Sequence, residues 1–533
     1  MIRFECASVF SDHCVLQQNE SIRVFGYAPV GVEVTATLLQ GQQVLTRGAC
    51  VAEEAEEGSL AYNFLAVLPG LKAGGPYELS VTCGEEQLLF RDVYVGEVWL
   101  AGGQSNMEFK LCQDREFEAA KQRAKTTNVR FFQVGQRAFV DETFRDSERQ
   151  DRWMLGSEEG VDSWSAVGYY FGEKIAEATD VMVGVIGCNW GGTSAGAWQD
   201  KDSLLSDEKT AIYWTEYEDI VAKQKPEEYE AERLDYLAYH AWWEPKVGEY
   251  YATHPNATWD EVQEVYGPCR WPGPMGPKHE FRPCGLYETM LRRVTPFALA
   301  GVIYYQGESD DHRPRAYETL LTKMLSVWRR EFRQEKLPFM LVQLPMHRYR
   351  DNPITDSWCT IREAQMKVHK ADEYTGLAVA IDCGEYNHIH PTRKTEVGKR
   401  LALQALYHVY HLIQEAEAYG PAFKGMQVDG DRITLEFSHA EEGFCIKEDK
   451  EAVIHMPSYG FEIAGEDGRW EAAEVVFDGD RIHLSSKQIS APTQARYLWT
   501  DYAAVEIFGK NGLPLAPFWA KETSKNEKEQ ENV

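Results

Sequence analysis

Basic residues are in the minority: 55 Lys and Arg stand against 84 Asp and Glu in 533 residues, a formal charge of −29. Such a surface repels phosphate backbones and anionic headgroups, so neither nucleic acid nor a membrane surface is expected as a partner. Long apolar runs are also missing, and no stretch reaches the roughly 18 residues that a spanning helix needs. The opening residues, MIRFECASVFSDHC, lack the charged, apolar and small-residue succession of a secretory signal. The 11 cysteines are scattered, without C-x-x-C spacing, which is the pattern of a reduced protein, and a cytoplasmic location is expected. No internal repeat or low-complexity tract interrupts the chain. What is present is 44% hydrophobic residues, enough for sizeable cores, in a chain long enough for two to four domains.

Residues 1–91 carry short alternating runs (SIRVFGYA, VEVTATLL, LAYNFLAVL, YELSVTC) punctuated by glycine, which predicts an antiparallel β domain, a sandwich. From 92 to 414 strands alternate with helices. Apolar runs at 129–134, 181–188, 299–306, 339–345 and 376–382, separated by helical segments, imply a parallel sheet covered on both faces. In such sheets chemistry lies beyond the carboxyl ends of the strands. An acidic, aromatic-rich segment at about 199–282 interrupts the alternation. An insertion of that size forms a lid or substrate wall in many enzymes. Its Trp and Tyr rings, Trp242 and Trp243 among them, offer platforms for sugars, and they equally suit packing of the insertion onto the body. Residues 415–520 return to β character, with hairpin turns at Asp429-Gly430 and Asp478-Gly479, and 521–533 read as a disordered polar tail.

The stretch DVYVGEVWLAGGQSNME (92–108) organises the rest. A buried strand ends on Gly102-Gly103, which allow a sharp turn, and Ser105 follows at a helix start, where free N–H groups can stabilise an oxyanion. A nucleophile and a plain helix cap both fit that position. Other strand ends add candidates. Gly191-Gly192-Thr193 form a loop where a backbone N–H can approach an oxyanion, and the Gln306 amide is a neutral donor of the same use. His390 lies in a loop after the last strand, restricted by Pro391, and can reach across the sheet as a base. Cys188 and Cys383 lie near these segments as rival nucleophiles. His388-x-His390 could chelate a metal, but no further ligand spacing completes a site, so no metal or other cofactor is expected.

GEVWLAGGQSNM resembles the first block of the SGNH hydrolases, specifically the sialate O-acetylesterase family with its G-Q-S-N-M run. WGGT with Trp198, YYQGES (304–309, with Tyr304 where the family has tryptophan) and the I-H-P followed by K-x-x-V-G-x-R-L-A resemble further blocks, in the same order. The resemblance implies an SGNH-type α/β fold between N- and C-terminal β domains, with Ser105 as nucleophile and His390 as general base. It implies oxyanion donors from Ser105, Gly191, Gly192 and Gln306. Many SGNH enzymes carry an aspartate three residues before the base; here that residue is Asn387, so Glu385 or Asp382 replaces it, or a Ser-His dyad operates. Glu308, near substrate, is expected to support its loop rather than do acid–base work, Asp310, Asp311, His312 and Arg313 to face outward where they can touch substrate, and Tyr287 to be a pocket residue. The implied reaction removes acetyl groups from a sugar: sialic acid, or xylo- or manno-oligosaccharides imported into a bacterial cytoplasm. A carbohydrate-binding protein that kept the scaffold without turnover is the alternative. The oligomeric state, monomer or homo-oligomer, is left open.

Overall fold

The computed structural model describes residues 3–55, 60–157, 159–254, 257–349 and 355–522. Most of the expected tail, from 523 onward, lies outside the described residues.

Six strands run parallel: β1 (Glu86–Gly103), β2 (Val129–Gln133), β3 (Val183–Asn189), β4 (Gly301–Tyr305), β5 (Phe339–Gln343) and β6 (Thr375–Val379), in the order β2-β3-β1-β4-β5-β6. Trp153–Leu155 adds an antiparallel edge beside β2. All residues of β3, β4 and β5 are buried, which is why they read as unbroken apolar runs. Helices cover both sides. Trp99 and Gly102 point to opposite faces of β1 by its two-residue period. Trp99 meets Phe171 of α2 (Ala166–Thr179) with ring centroids 4.8 Å apart, whereas Trp328 of α6 (Tyr317–Glu331) lies directly on Gly102. The chain leaves β1 first towards β3 and β2 and then crosses to β4, so the carboxyl ends of β3, β1 and β4 meet at the point where the winding reverses, the usual place for a site.

β1 is unusually long. Its first half pairs with Gly74–Cys83 in an antiparallel sheet with Glu33–Gln40 and Gln43–Val51, and its second half enters the parallel sheet. The expected 91/92 division therefore falls inside one continuous strand rather than in a linker. A three-stranded sheet of Glu5–Cys6, Ile22–Tyr27 and Phe64–Leu68 completes the N-terminal β region.

The insertion is helical: α3 (Glu208–Val221), α4 (Pro226–Thr253) and α5 (Trp259–Tyr266). Beyond it come α6, α7 (Ser357–Ala371) and α8 (Lys394–His408). The C-terminal residues form two four-stranded antiparallel sheets around a shared core that includes Ile433, Leu484, Phe461 and Tyr497. Buried Arg362 of α7 fastens this region to the sheet, donating to the carbonyls of Leu344 and Pro345 and to those of Thr500 and Asp501.

Candidate active site

Gly103 ends β1 at φ +135°, and a Cβ there would lie 2.1 Å from the Tyr305 carbonyl oxygen, so only glycine lets β1 pass β4 this closely. Gln104 then donates its N–H to that carbonyl at 3.1 Å, while its side-chain oxygen accepts from Ser309 N–H at 3.1 Å. Ser105 opens the one-turn helix α1 (Ser105–Glu108), half-buried at the end of the sheet.

Asn106, fully buried, spends its amide on three separate segments. Its Nδ2 donates to Glu308 Oε1 at 2.6 Å and to the Ile389 carbonyl at 3.0 Å, and its Oδ1 accepts from Lys394 Nζ. The residue after Ser105 is thereby bonded to the residue before His390. Lys394 is fully buried at the start of α8. Burial drives its ammonium down to about 7, with Glu308 as the main opposing charge, and burial in turn pushes the Glu308 carboxyl up. Other bonds fix the base loop from outside. Asp114 accepts from Lys394 N–H at 2.9 Å and from the Tyr170 hydroxyl at 2.7 Å, and Arg115 donates to Glu385 at 2.8 Å. The Ser105 hydroxyl and the His390 ring make no direct hydrogen bond among the described residues. Burial, then the neighbouring Lys394, His388 and His347, hold the His390 imidazole down to about 3.

Several expectations are corrected by these partners. Glu385 is committed to Arg115 and to the backbone and hydroxyl of Thr392. Asp382 makes a two-pronged ion pair with Arg400 at 2.5 and 2.7 Å. Neither carboxylate holds His390. Gln306 is no free oxyanion donor, because its amide hydrogens go to Asp310 Oδ2 at 2.7 Å and the Thr193 carbonyl at 3.2 Å. Asp310 does not face solvent. It is fully buried and accepts from Gln306, the Ser194 hydroxyl at 2.6 Å, Ala195 N–H at 3.0 Å and the Tyr213 hydroxyl of α3 at 2.9 Å, so it braces the 191–196 loop instead of touching substrate. Glu308 is likewise buried beneath Asn106. Tyr287 packs in the core with its hydroxyl towards Glu331 and Arg292, residues apart from the Ser105 cluster. Trp243 is buried within the insertion against Tyr239 and Trp259, and exposed Trp242 packs on Tyr239 and Tyr266 of the same insertion. Cys188 and Cys383 are buried, and burial pushes both thiols up, Cys383 to about 12, so neither is a ready thiolate.

Around Ser105 the structure does gather the glycine loop. A Cβ on Gly191 would sit 3.2 Å from Ser105 Cβ. The Gly191 N–H is donated to Glu108 Oε2 at 2.6 Å, which shows that a carboxylate oxygen fits there, and the N–H groups of Ser105 and Gly192 meet no acceptor among the described residues. Asn106, Glu108 and Lys394 all lie inside the quoted motifs, but nothing in residue type separated them from their neighbours. Asp114 and Arg115 carried no signal.

Comparison with known proteins relates the chain to carbohydrate esterases. The mouse (Mus musculus) sialate O-acetylesterase is 26% identical over 567 aligned residues, covering 98% of this chain and 95% of that protein. Residues 277–407 match the family described as carbohydrate esterase, sialic acid-specific acetylesterase. The chain is a relative of the sialate O-acetylesterases. The human (Homo sapiens) sialate O-acetylesterase is 25% identical, over 79% of this chain and 72% of its own. Among solved structures, a carbohydrate acetylesterase from Xanthomonas citri superposes with a TM-score of 0.74 at 27% identity, covering 97% of this chain and 99% of that one. That similarity spans the β regions as well as the parallel sheet.

Proposed function

We propose that this chain is a carbohydrate O-acetylesterase on an SGNH-type scaffold, working by a Ser105–His390 dyad. The observation that carries the reading is the Asn106 amide, which ties the turn bearing Ser105 to the carbonyl of Ile389 and so to the loop bearing His390. The Ser105 oxygen attacks the acetyl carbonyl while His390 takes its proton. His390 then protonates the departing sugar oxygen, and water, deprotonated by the same imidazole, cleaves the acetyl-enzyme. The pair closes to hydrogen-bonding distance when substrate is bound, as catalytic contacts commonly do. The Ser105 and Gly192 N–H groups receive the oxyanion, each donor contributing on the order of a hundredfold or more. Among the described residues no carboxylate is bonded to the His390 ring; the fixed loop orients the imidazole.

Candidate substrates are acetylated xylo- or manno-oligosaccharides and O-acetylated sialic acids. Ser105→Ala is expected to abolish acetate release from 4-nitrophenyl acetate and from acetylated sugars, followed by NMR, while the protein stays folded. Native-level turnover by that variant would end the proposal. That no acid among the described residues is bonded to His390 favours one rival, a binding protein without turnover, which predicts sugar binding with no acetate released by the native chain.

A further inference from the structure

The glycine loop beside Ser105 is roofed by two aromatic rings that arrive from the end of the insertion. Gly192 has φ +76°, and a Cβ there would fall 2.4 Å from Phe281 Cζ and 2.6 Å from Trp271 Cζ2. Both rings therefore rest directly on the loop backbone. They meet each other edge to face, with centroids 5.4 Å apart. One Cα step away, Gly191 packs on Ser105, so the indole stands on the order of 10 Å from the nucleophile, given about 3.8 Å per Cα step. The segment carrying Trp271 is anchored to α4 and to the turn before it: Arg270 pairs with Asp235 at 2.7 Å, the Arg270 N–H meets the Tyr239 hydroxyl at 3.2 Å, and the Met275 carbonyl accepts from Gln224 of that turn at 2.5 Å.

Phe281 is partly covered, yet Trp271 remains 52% exposed. A large ring held rigidly at the rim of a reaction centre, with half its surface in water, is an apolar face waiting for an apolar face. On a sugar that face is the C–H side of a pyranose ring. The Glu108 carboxylate, standing on Gly191 beside Ser105, disfavours a ligand with its own carboxylate there. We infer that Trp271 is a specificity-determining residue, the stacking platform for a neutral acetylated pyranose whose ester is presented to Ser105. This rests on the esterase reading above and adds to it the substrate class and the residue that selects it.

The test compares native protein, Trp271→Ala and Trp271→Phe on acetylated xylo-oligosaccharides and on 4-nitrophenyl acetate, which has no sugar ring. The ratio of kcat/KM for the sugar over the simple ester is expected to fall at least tenfold in Trp271→Ala, mainly through KM, and to recover most of the way in Trp271→Phe. A ratio within twofold of native in Trp271→Ala overturns the inference. Binding of the same acetylated oligosaccharides to Ser105→Ala, measured by calorimetry with and without Trp271→Ala, needs no turnover. Weaker binding on loss of the indole supports the platform even if the native chain releases no acetate, whereas equal binding refutes it and leaves the esterase reading to stand on its own assay.

Discussion

Removing the Asn106 amide is the sharpest perturbation of the proposed site, because one small group joins three segments. Asn106→Ala deletes hydrogen bonds to Glu308, Ile389 and Lys394. One joins neutral groups and is worth about 1 kcal/mol, and two involve charged partners at about 1.5 to 3 kcal/mol each. Partial relaxation and water entry offset some of that sum, so the net loss of stability expected is about 3 to 5 kcal/mol, the range for leaving a buried charge without its partner. The kinetic effect follows from position. With the Ile389 carbonyl released, the His390 loop is no longer indexed to the Ser105 turn, and a misplacement of about 1 Å costs on the order of a hundredfold. The assay is steady-state hydrolysis of 4-nitrophenyl acetate at a temperature where circular dichroism shows the variant folded, with kcat and KM resolved. The expected signature is a hundredfold fall in kcat with KM within a few-fold of native. A folded Asn106→Ala protein with kcat within threefold of native would refute the idea that this amide positions the pair.

Lys394→Met should move the acid limb of the kcat/KM profile to higher pH, because the lysine charge is the chief cause, after burial, that holds His390 down to about 3; an unmoved limb would count against that coupling. His347, 4% exposed and depressed by burial to about 4, contributes stability that is complete above pH 6.5 and is lost as pH falls from 6.5 through 4, about 3 kcal/mol at 1.36 kcal/mol per pH unit. His347→Phe should flatten that part of the acid-unfolding curve, and an unchanged slope would contradict it. Gly103→Ala forces a Cβ to within 2.1 Å of the Tyr305 carbonyl at φ +135°, so a loss of at least about 2 kcal/mol is expected in urea unfolding, whereas a stability equal to native would show that β1 and β4 can part at little cost.

Much of the scaffold was legible because parallel strands buried on both faces leave continuous apolar runs, and 129–134, 299–306 and 339–345 each hold a strand of the sheet. The limits of the β regions were less so. Alternation in the first half of β1 merges into an apolar run in the second, and nothing local says that two sheets share one strand. The site was legible in its loops and not in its hydrogen bonds. ESDDHR reads as a solvated run, yet Asp310 is buried because Tyr213 reaches it from 97 residues upstream. Glu385 and Asp382 looked available to a histidine in the same loop, but Arg115 lies 270 residues from the one, and Arg400, 18 residues further along on α8, claims the other. Which carboxylate meets which cation is decided by packing, and residue type alone cannot rank the partners.

The same partners set the character of the base. A triad places an anion behind the imidazole and so stabilises the imidazolium formed during attack. Here the largest charge effect on the base is that of Lys394, and it is opposite in sign. An imidazolium in that field is short-lived, and its proton is handed on readily to the departing sugar oxygen. What such a base loses in proton affinity must be offset by placement. Lys394 itself supplies part of that placement through Asn106, so the residue that weakens the base also holds its loop against the nucleophile's turn. Its buried charge, driven down to about 7, makes the opposition weakest on the alkaline side of neutrality, where acetyl transfer through His390 should be fastest.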